Sequence, residues 1–519
     1  MKKNYFILFI LIFYFFFQLS TLDYGFKIND IEYFKNISLD QKAIKDFTEK
    51  EEIKNKENIK NNTESWRYRY KLYSVNADEM IPIMALSKIN INEKKFDPQI
   101  YKYGGGFIYP LGFYYFFLTK TGLIENINSY SITNNENLMN NIYSNGRLFV
   151  LLFFIFSALV LYKSLKLITN KNYALVLTTI YLFFPSSIMY SQIIKPNWYA
   201  LLWFNLSVYF ALKYIIKEKK IFYLFLVSIF QGLAIGSSIL FFPAFLFVFI
   251  LIFFNLKKEL LKNYFFLLIF SSLFIFFLTN PYILINFISF ADESYNEYTW
   301  ILKDLNLKNT LFFFRNSFIQ GFGIVFSLVF FYYILKKSSN KHDKKISIGI
   351  FLLILIGAVI SSYDTWHIQF RYIPYLLTIS LIYLAYKSKN NEKIFIFIAA
   401  LTILQSIPLK IAYYDENNLN YSTRLSSAKW INNNIIENNR TICKKSFSPF
   451  DFPPINFNKI KIEENCAYDI RVLRQPKEIN LFKENQIIKK FEPRYQFVDI
   501  PLVFSHINPL IIILKNSNN

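Results

Sequence analysis

The stretch Leu148–Leu165, LFVLLFFIFSALVLYKSL, is mostly apolar. Coiled as an α-helix, a run of that length crosses a hydrocarbon layer of about 30 Å. A helix satisfies its own backbone hydrogen bonds, which is the condition for entering a medium without water. Outward from this stretch the pattern recurs at 173–190, 198–214, 221–237, 240–255, 264–280, 317–335, 346–362, 371–386 and 393–411, and before it at 5–21. Of the 519 residues, 53% are hydrophobic and 20% aromatic. They gather into these runs instead of spreading at the spacing of a soluble core. The expected fold is a polytopic α-helical membrane protein with about eleven transmembrane helices. Around Gly236 the sequence fits a short exposed hairpin or one long bent element equally well.

The net charge of +22 is explained by its placement. With the N-terminus in the cytoplasm, alternate connections begin with Lys2 and Lys3, then Lys163, Lys166 and Lys171, then Lys213, Lys217, Lys219 and Lys220. They continue with Lys257, Lys258 and Lys262, then Lys336, Lys337, Lys341, Lys344 and Lys345, then Lys387, Lys389 and Lys393. The short connections between them hold few basic residues, Lys195 and Arg371 among them. This is the positive-inside pattern, so the charge reports topology and no nucleic-acid partner is expected. The first run follows Lys2 and Lys3 as a signal peptide would, but no small-residue cleavage pattern comes after Phe17, and it reads as an uncleaved span. The expected location is the plasma (inner) membrane, multi-pass, with the C-terminal domain on the non-cytoplasmic side.

That topology divides the chain into a transmembrane module, 1–411, which includes a large first external loop at 22–147, and an external C-terminal domain, 412–519. Residues 27–65 are rich in Lys, Glu and Asn and read as a solvated helix or loop. Trp66, Tyr68, Tyr70 and Tyr73 then lead into Asn76-Ala77-Asp78-Glu79 and the apolar patch Met80 to Leu86, a pattern suited to an amphipathic helix in the membrane interface. The run 107–118 is short and interrupted by Pro and Gly, so it is expected along the membrane surface. The C-terminal region alternates short apolar and polar pieces with turns at Ser448-Pro449 and Pro453-Pro454, as in a small mixed α/β domain that starts with a helix near 426–433. Both cysteines, Cys443 and Cys466, fall there. On an oxidising side they are as well suited to a disulfide as to two separate buried thiols.

No Walker loop, HExxH, GxSxG or CxxC pattern occurs. The informative residues are ionisable or rigid groups at the outer ends of spans, where burial is costly. Asp78 and Glu79 either stabilise a helix start or supply a general base for an acceptor hydroxyl. They are also the candidates for a divalent metal, although partner ligands are not evident. Arg371-Tyr372 either anchors a helix by snorkelling or brings a guanidinium to a lipid phosphate. Lys195-Pro196-Asn197 stands at another outer helix end, where Pro in a first turn is ordinary and Lys195 adds positive charge. His367, one of three histidines, suits a hydrogen-bonded structural role better than a catalytic one.

Several short stretches, taken in order, resemble a known family. Asn76-Ala77-Asp78-Glu79, Asp97-Pro98 and Tyr103-Gly104-Gly105-Gly106-Phe107-Ile108-Tyr109-Pro110-Leu111 are similar to the first external loop of GT-C glycosyltransferases. The likeness is to the branch of protein O-mannosyltransferase-like and aminoarabinose-transferase-like enzymes. Gly146-Arg147-Leu148, Lys195-Pro196-Asn197, Gly232-Leu233-Ala234-Ile235-Gly236, Thr279-Asn280-Pro281-Tyr282, Phe370-Arg371-Tyr372-Ile373-Pro374 and the stretch Thr423 to Ile431 follow in the family's order. Each motif is short, and their shared order carries the weight. The resemblance implies a GT-C-like fold and an enzyme that moves a sugar from a polyprenyl-phosphate donor to a glycan, lipid or protein acceptor, with inversion. It implies Asp78 as base, Glu79 beside it, and Arg371, Lys195 and Tyr372 at the donor phosphate, with Asn197, Tyr103 and His367 lining the site. No cofactor is called for, and a divalent metal at Asp78 and Glu79 stays open. Two departures stand out: Asn197 where the family commonly has an acid, and Ser237-Ser238 where a Lys often follows the glycine motif. A transporter or flippase would show repeated halves, which are not seen. An O-antigen polymerase or ligase would place its largest external loop late, not after the first span.

Overall fold

The computed structural model describes residues 5–25, 31, 70, 72–126, 135, 137–253, 258–301, 318–336, 341–362, 370, 373–388, 391–443, 452–473, 476–494 and 507–516. These are mostly helical, with several apolar helices and a small sheet. In chain order the helices begin with α1 (Tyr5–Leu19), α2 (Met80–Ser87), α3 (Gly105–Lys120), α4 (Leu138–Ile168), α5 (Lys171–Phe183) and α6 (Pro185–Tyr190). Next come α7 (Pro196–Ile216), α8 (Ile221–Ser237), α9 (Phe242–Phe253), α10 (Lys258–Thr279), α11 (Pro281–Ile285) and α12 (Phe287–Ile301). The last are α13 (Ile319–Phe322), α14 (Ile324–Leu335), α15 (Lys341–Ser362), α16 (Leu376–Lys387), α17 (Glu392–Glu416) and α18 (Thr423–Ile431). Among the described residues, α4, α7 and α17 are long and apolar enough to cross a membrane, and shorter apolar helices include α1, α8, α14 and α16.

The chain forms two compact units. The first comprises Met1–Leu19, Ile81–Tyr114 and Arg147–Ile407. Its helices differ in burial: Pro185–Tyr190 is buried on every side, whereas α1 packs one stripe inward. In α1, Ile7, Leu11, Tyr14 and Gln18 recur at helical spacing and are buried, while Phe6, Phe9, Phe13 and Phe16 stay exposed. Exposed phenylalanines repeated along a helix suit contact with lipid. Inside this unit, buried polar side chains bond to backbone carbonyls of other helices. Gln18 Nε2 donates to the Ile188 carbonyl at 2.9 Å, and Asn205 Nδ2 donates to the Ser157 carbonyl at 3.0 Å.

Several runs that the sequence presents as single spans are interrupted. The run 173–190 breaks at Phe184, whose extended backbone is what a residue before proline adopts, and Pro185 opens α6. The run 317–335 breaks at Gly323, where φ is 82°. After Gly236 the chain leaves α8 at Ser238, extended and buried, and a 3-10 turn Ile239–Phe241 leads into α9. The chain therefore turns at the buried Ser238, while Ile239 and Phe242 of the connection are exposed. Helix α17 runs to Glu416, five residues beyond the end expected at 411.

The second unit comprises Ser20–Met80, Tyr115–Gly146 and Pro408–Asn519. Its sheet has the order β2-β1-β3-β5-β4, with β1 Thr441–Cys443, β2 Lys461–Glu463, β3 Tyr468–Leu473, β4 Ile487–Phe491 and β5 Leu510–Lys515. Strand β1 runs parallel to β2 and β3, while β5 is antiparallel to β3 and β4. The run Leu510–Leu514 is apolar at every position because both faces of β5 are covered. Ile511 and Ile513 join Leu425, Ala428 and Ile431 of α18, and Leu510, Ile512 and Leu514 meet Ile479 and Phe482. Helix α18 begins three residues earlier than expected because Ser422 accepts from the Leu425 amide and caps it. Cys443 and Cys466 form a disulfide.

The first-loop residue Tyr70 sits in the core of this same unit. Its hydroxyl donates to the Phe452 carbonyl and its ring stacks on Phe457, with centroids 5.9 Å apart. Asn417 closes a second link: its amide donates to the Asp23 carbonyl at 3.1 Å and accepts from the Gly25 amide at 2.7 Å. Residues following α1 and residues following α17 thus share one hydrophobic and hydrogen-bonded structure.

Candidate active site

Asp78 and Glu79 lie on a 3-10 turn, Ala77–Glu79, that leads directly into α2. Asn76 builds the turn. Its side-chain oxygen accepts from the Asp78 amide at 3.2 Å, and its carbonyl accepts from the Glu79 amide at 3.1 Å. Ser74 then fixes the second acid, since its hydroxyl lies 2.6 Å from Glu79 Oε2 and also receives the Asn76 amide at 3.0 Å. Glu79 is fully buried, whereas Asp78 remains partly exposed. The two adjacent acids therefore differ in burial: Glu79 is a buried acceptor held by a hydroxyl, and Asp78 is partly exposed. Sequence reasoning missed Ser74, because nothing in its type or spacing announces a partner five residues on. Among the described residues no group of three or more His, Cys, Asp or Glu could hold a metal ion.

In the first unit, three motif stretches that are far apart in sequence meet. The Gly104 amide donates to the Ser237 carbonyl at 3.3 Å, and the Gly105 amide donates to Asn280 Oδ1 at 2.6 Å. Asn280 Nδ2 in turn donates to the Gly236 carbonyl at 3.0 Å. The backbones come so close that a Cβ on Gly104 would lie 1.9 Å from the Gly236 oxygen, and one on Gly105 would lie 2.2 Å from the Thr279 oxygen. Only glycine permits that approach.

Tyr103 directly precedes this glycine run and is half-buried. Lys195 and Asn197 are both buried at the start of α7, where Lys195 occupies the N-cap position and Pro196 the first turn. Ser238 Oγ lies 3.5 Å from Asn197 Oδ1, so the two places where the sequence departs from the GT-C pattern touch each other. Arg371, Tyr372 and His367 lie outside the described residues.

A further polar group, not singled out in the sequence, braces the segment before the glycines. Asn286 Nδ2 donates to Asp97 Oδ2 at 2.5 Å and to the Tyr101 hydroxyl at 3.1 Å, and the Tyr101 amide donates to Glu293 Oε2 at 2.7 Å. Burial raises the Tyr101 phenol above its ordinary value, and its hydroxyl donates to Asp97 Oδ2 at 3.2 Å.

No curated protein matches the chain. The stretch that a family model matches runs from before α4 into the first residues of α11 and includes Lys195, Asn197, Gly236 and Asn280, but not Asp78, Glu79 or Arg371. Over residues 130–283 the chain is similar to the dolichyl-phosphate-mannose-protein mannosyltransferase family, of GT-C type, which is the resemblance its ordered motifs carry.

Proposed function

We propose that this protein is a membrane glycosyltransferase that moves a sugar from a polyprenyl-phosphate donor to an acceptor hydroxyl on the non-cytoplasmic face, with inversion. The observation that carries the reading is the family match over 130–283, the stretch that contains Lys195 and Asn197 together with Gly236 and Asn280. The contact of Gly104 and Gly105 with Gly236 and Asn280 adds to it, because it ties the first-loop motif to the matched region.

In this mechanism the acceptor oxygen attacks the anomeric carbon as Asp78 takes its proton. The bond from that carbon to the phosphate oxygen breaks, and its electron pair leaves with the polyprenyl phosphate. Asp78 is the partly exposed member of the acidic pair, which suits a group that must meet substrate. Glu79, bonded to Ser74, holds the turn that presents it. Arg371 and Lys195, with Tyr372, bind the donor phosphate and stabilise the charge that builds on it as the bond breaks. Asn197, Tyr103 and His367 line the site. The acceptor is a glycan, a lipid or a protein. The N-terminus is cytoplasmic and the membrane is the plasma (inner) membrane.

The test is release of polyprenyl phosphate by the purified, lipid-reconstituted protein supplied with a panel of polyprenyl-phosphate-linked sugars and acceptors. Release that requires both donor and acceptor supports the reading. Acceptor-independent release, or movement of the intact donor across the bilayer without cleavage, contradicts it.

A further inference from the structure

Asn280 stands between α10 and α11, in the N-cap position of α11, yet its side chain makes no capping bond to that helix. Pro281 in the first turn leaves one fewer donor to satisfy there. The amide group is turned instead on two segments remote in sequence, the Gly105 amide at the start of α3 and the Gly236 carbonyl near the end of α8. Every helix start leaves backbone donors open, and the bond from Gly105 satisfies one of them. The Asn280 side chain thus caps the start of α3 from another part of the chain. It is almost fully buried, and the two N–H groups of its amide are shared among three acceptors, the Gly236 carbonyl, the Phe276 carbonyl at 2.9 Å and Thr279 Oγ1 at 3.0 Å.

The same stretch of chain grips the first loop a second time. Asn286 and Glu293 hold Asp97 and Tyr101, so the segment 97–105 is fastened at both ends to residues 280–293, with Tyr103 between the two attachments. On its other side the end of α8 leads through Ser238 to Asn197, two residues from Lys195. A displacement at Asn280 would therefore be felt at Tyr103 and at the start of α7.

We propose that Asn280 is a positioning residue of the transfer reaction: its amide caps α3 in trans and fixes the first-loop segment bearing Tyr103 against the α8 end that contacts Asn197. This rests on the transferase reading. It adds to that reading a residue that touches no substrate and acts through the loop it holds.

The test uses the full-length protein in lipid nanodiscs as wild type, Asn280→Leu and Asn280→Asp. Leu keeps similar volume without either polar atom, and Asp keeps an acceptor for Gly105. Two quantities are read: hydrogen–deuterium exchange across the start of α3, and steady-state transfer from a polyprenyl-phosphate-linked sugar. Loss of a cap speeds exchange at the start of α3 in Asn280→Leu by about tenfold while α4 and α7 stay protected. It lowers kcat by about 10- to 100-fold, since misplacement acts on the reacting geometry, and leaves the donor KM within about threefold. Asn280→Asp recovers most of the exchange protection and part of kcat. Exchange in Asn280→Leu equal to wild type overturns the proposal, as does faster exchange with unchanged kcat, or Asp and Leu impaired alike. Wild-type protein inert towards every lipid-linked sugar overturns the transferase reading. The exchange comparison then stands alone, faster exchange in Asn280→Leu supporting the cap in trans and equal exchange overturning it.

Discussion

At the scale of the residue, the acidic pair shows how one turn separates two identical chemistries. Asn76 and Ser74 make a short knot of backbone and side-chain bonds that buries Glu79 and leaves Asp78 partly exposed. The pair itself was legible in the sequence, since adjacent acids before an apolar patch invite attention. The difference between them was not, because it depends on which way the turn rolls and on a serine whose type carries no signal. Ser74→Ala removes a donor from a buried carboxylate and is expected to destabilise the protein by about 1.5–3 kcal/mol, read as a fall in thermal unfolding temperature. An unchanged unfolding temperature would mean that the hydroxyl does not support Glu79.

At the scale of the element, the apolar runs mark several of the apolar helices, because a span must be long and apolar whatever surrounds it. The breaks were only partly readable. Pro185 marks one of them plainly, whereas Gly323 and Ser238 interrupt apolar runs without any change in composition. The glycine contacts follow the same logic. Gly104, Gly105 and Gly106 stand out in the sequence, but the reason for them lies on α8 and on the residues after α10, more than a hundred positions away. Gly104→Ala would drive a methyl group into the Gly236 carbonyl and force α3 and α8 apart. Its cost is expected at about 3 kcal/mol or more, at the upper end of overpacking effects. Gly122→Ala is the control, with φ of 72° and open space where the methyl would go. There only the backbone conformation resists, at about 1–2 kcal/mol. Equal losses in the two variants, measured by thermal unfolding, would contradict the close packing at Gly104.

At the scale of the whole molecule, the sequence divides the chain by topology, and the structure groups it by contact. The placement of lysines is expected to mark two faces of a membrane, because the charge bias is summed over whole connections and does not depend on exact span boundaries. That Tyr70 shares a core with Phe452 and Phe457 could not be read from the chain, because aromatic residues are common throughout it and nothing local pairs positions so far apart. Topology has a direct test. Glu93 and Lys219 are both exposed, and the native cysteines are joined to each other, so single cysteines introduced as Glu93→Cys and Lys219→Cys report alone. In intact cells an impermeant thiol reagent is expected to label position 93 and to reach position 219 only after the membrane is opened. The reverse pattern would overturn the orientation.

The central claim is that Asp78 serves as the base in sugar transfer from a lipid phosphate. The most direct measurement compares kcat of the reconstituted wild type and Asp78→Asn on the same polyprenyl-phosphate sugar and acceptor, with matched unfolding temperatures. Loss of a general base predicts a fall of about 100- to 10,000-fold with little change in donor KM. Equal transfer by the two proteins would remove Asp78 from the mechanism and contradict the account.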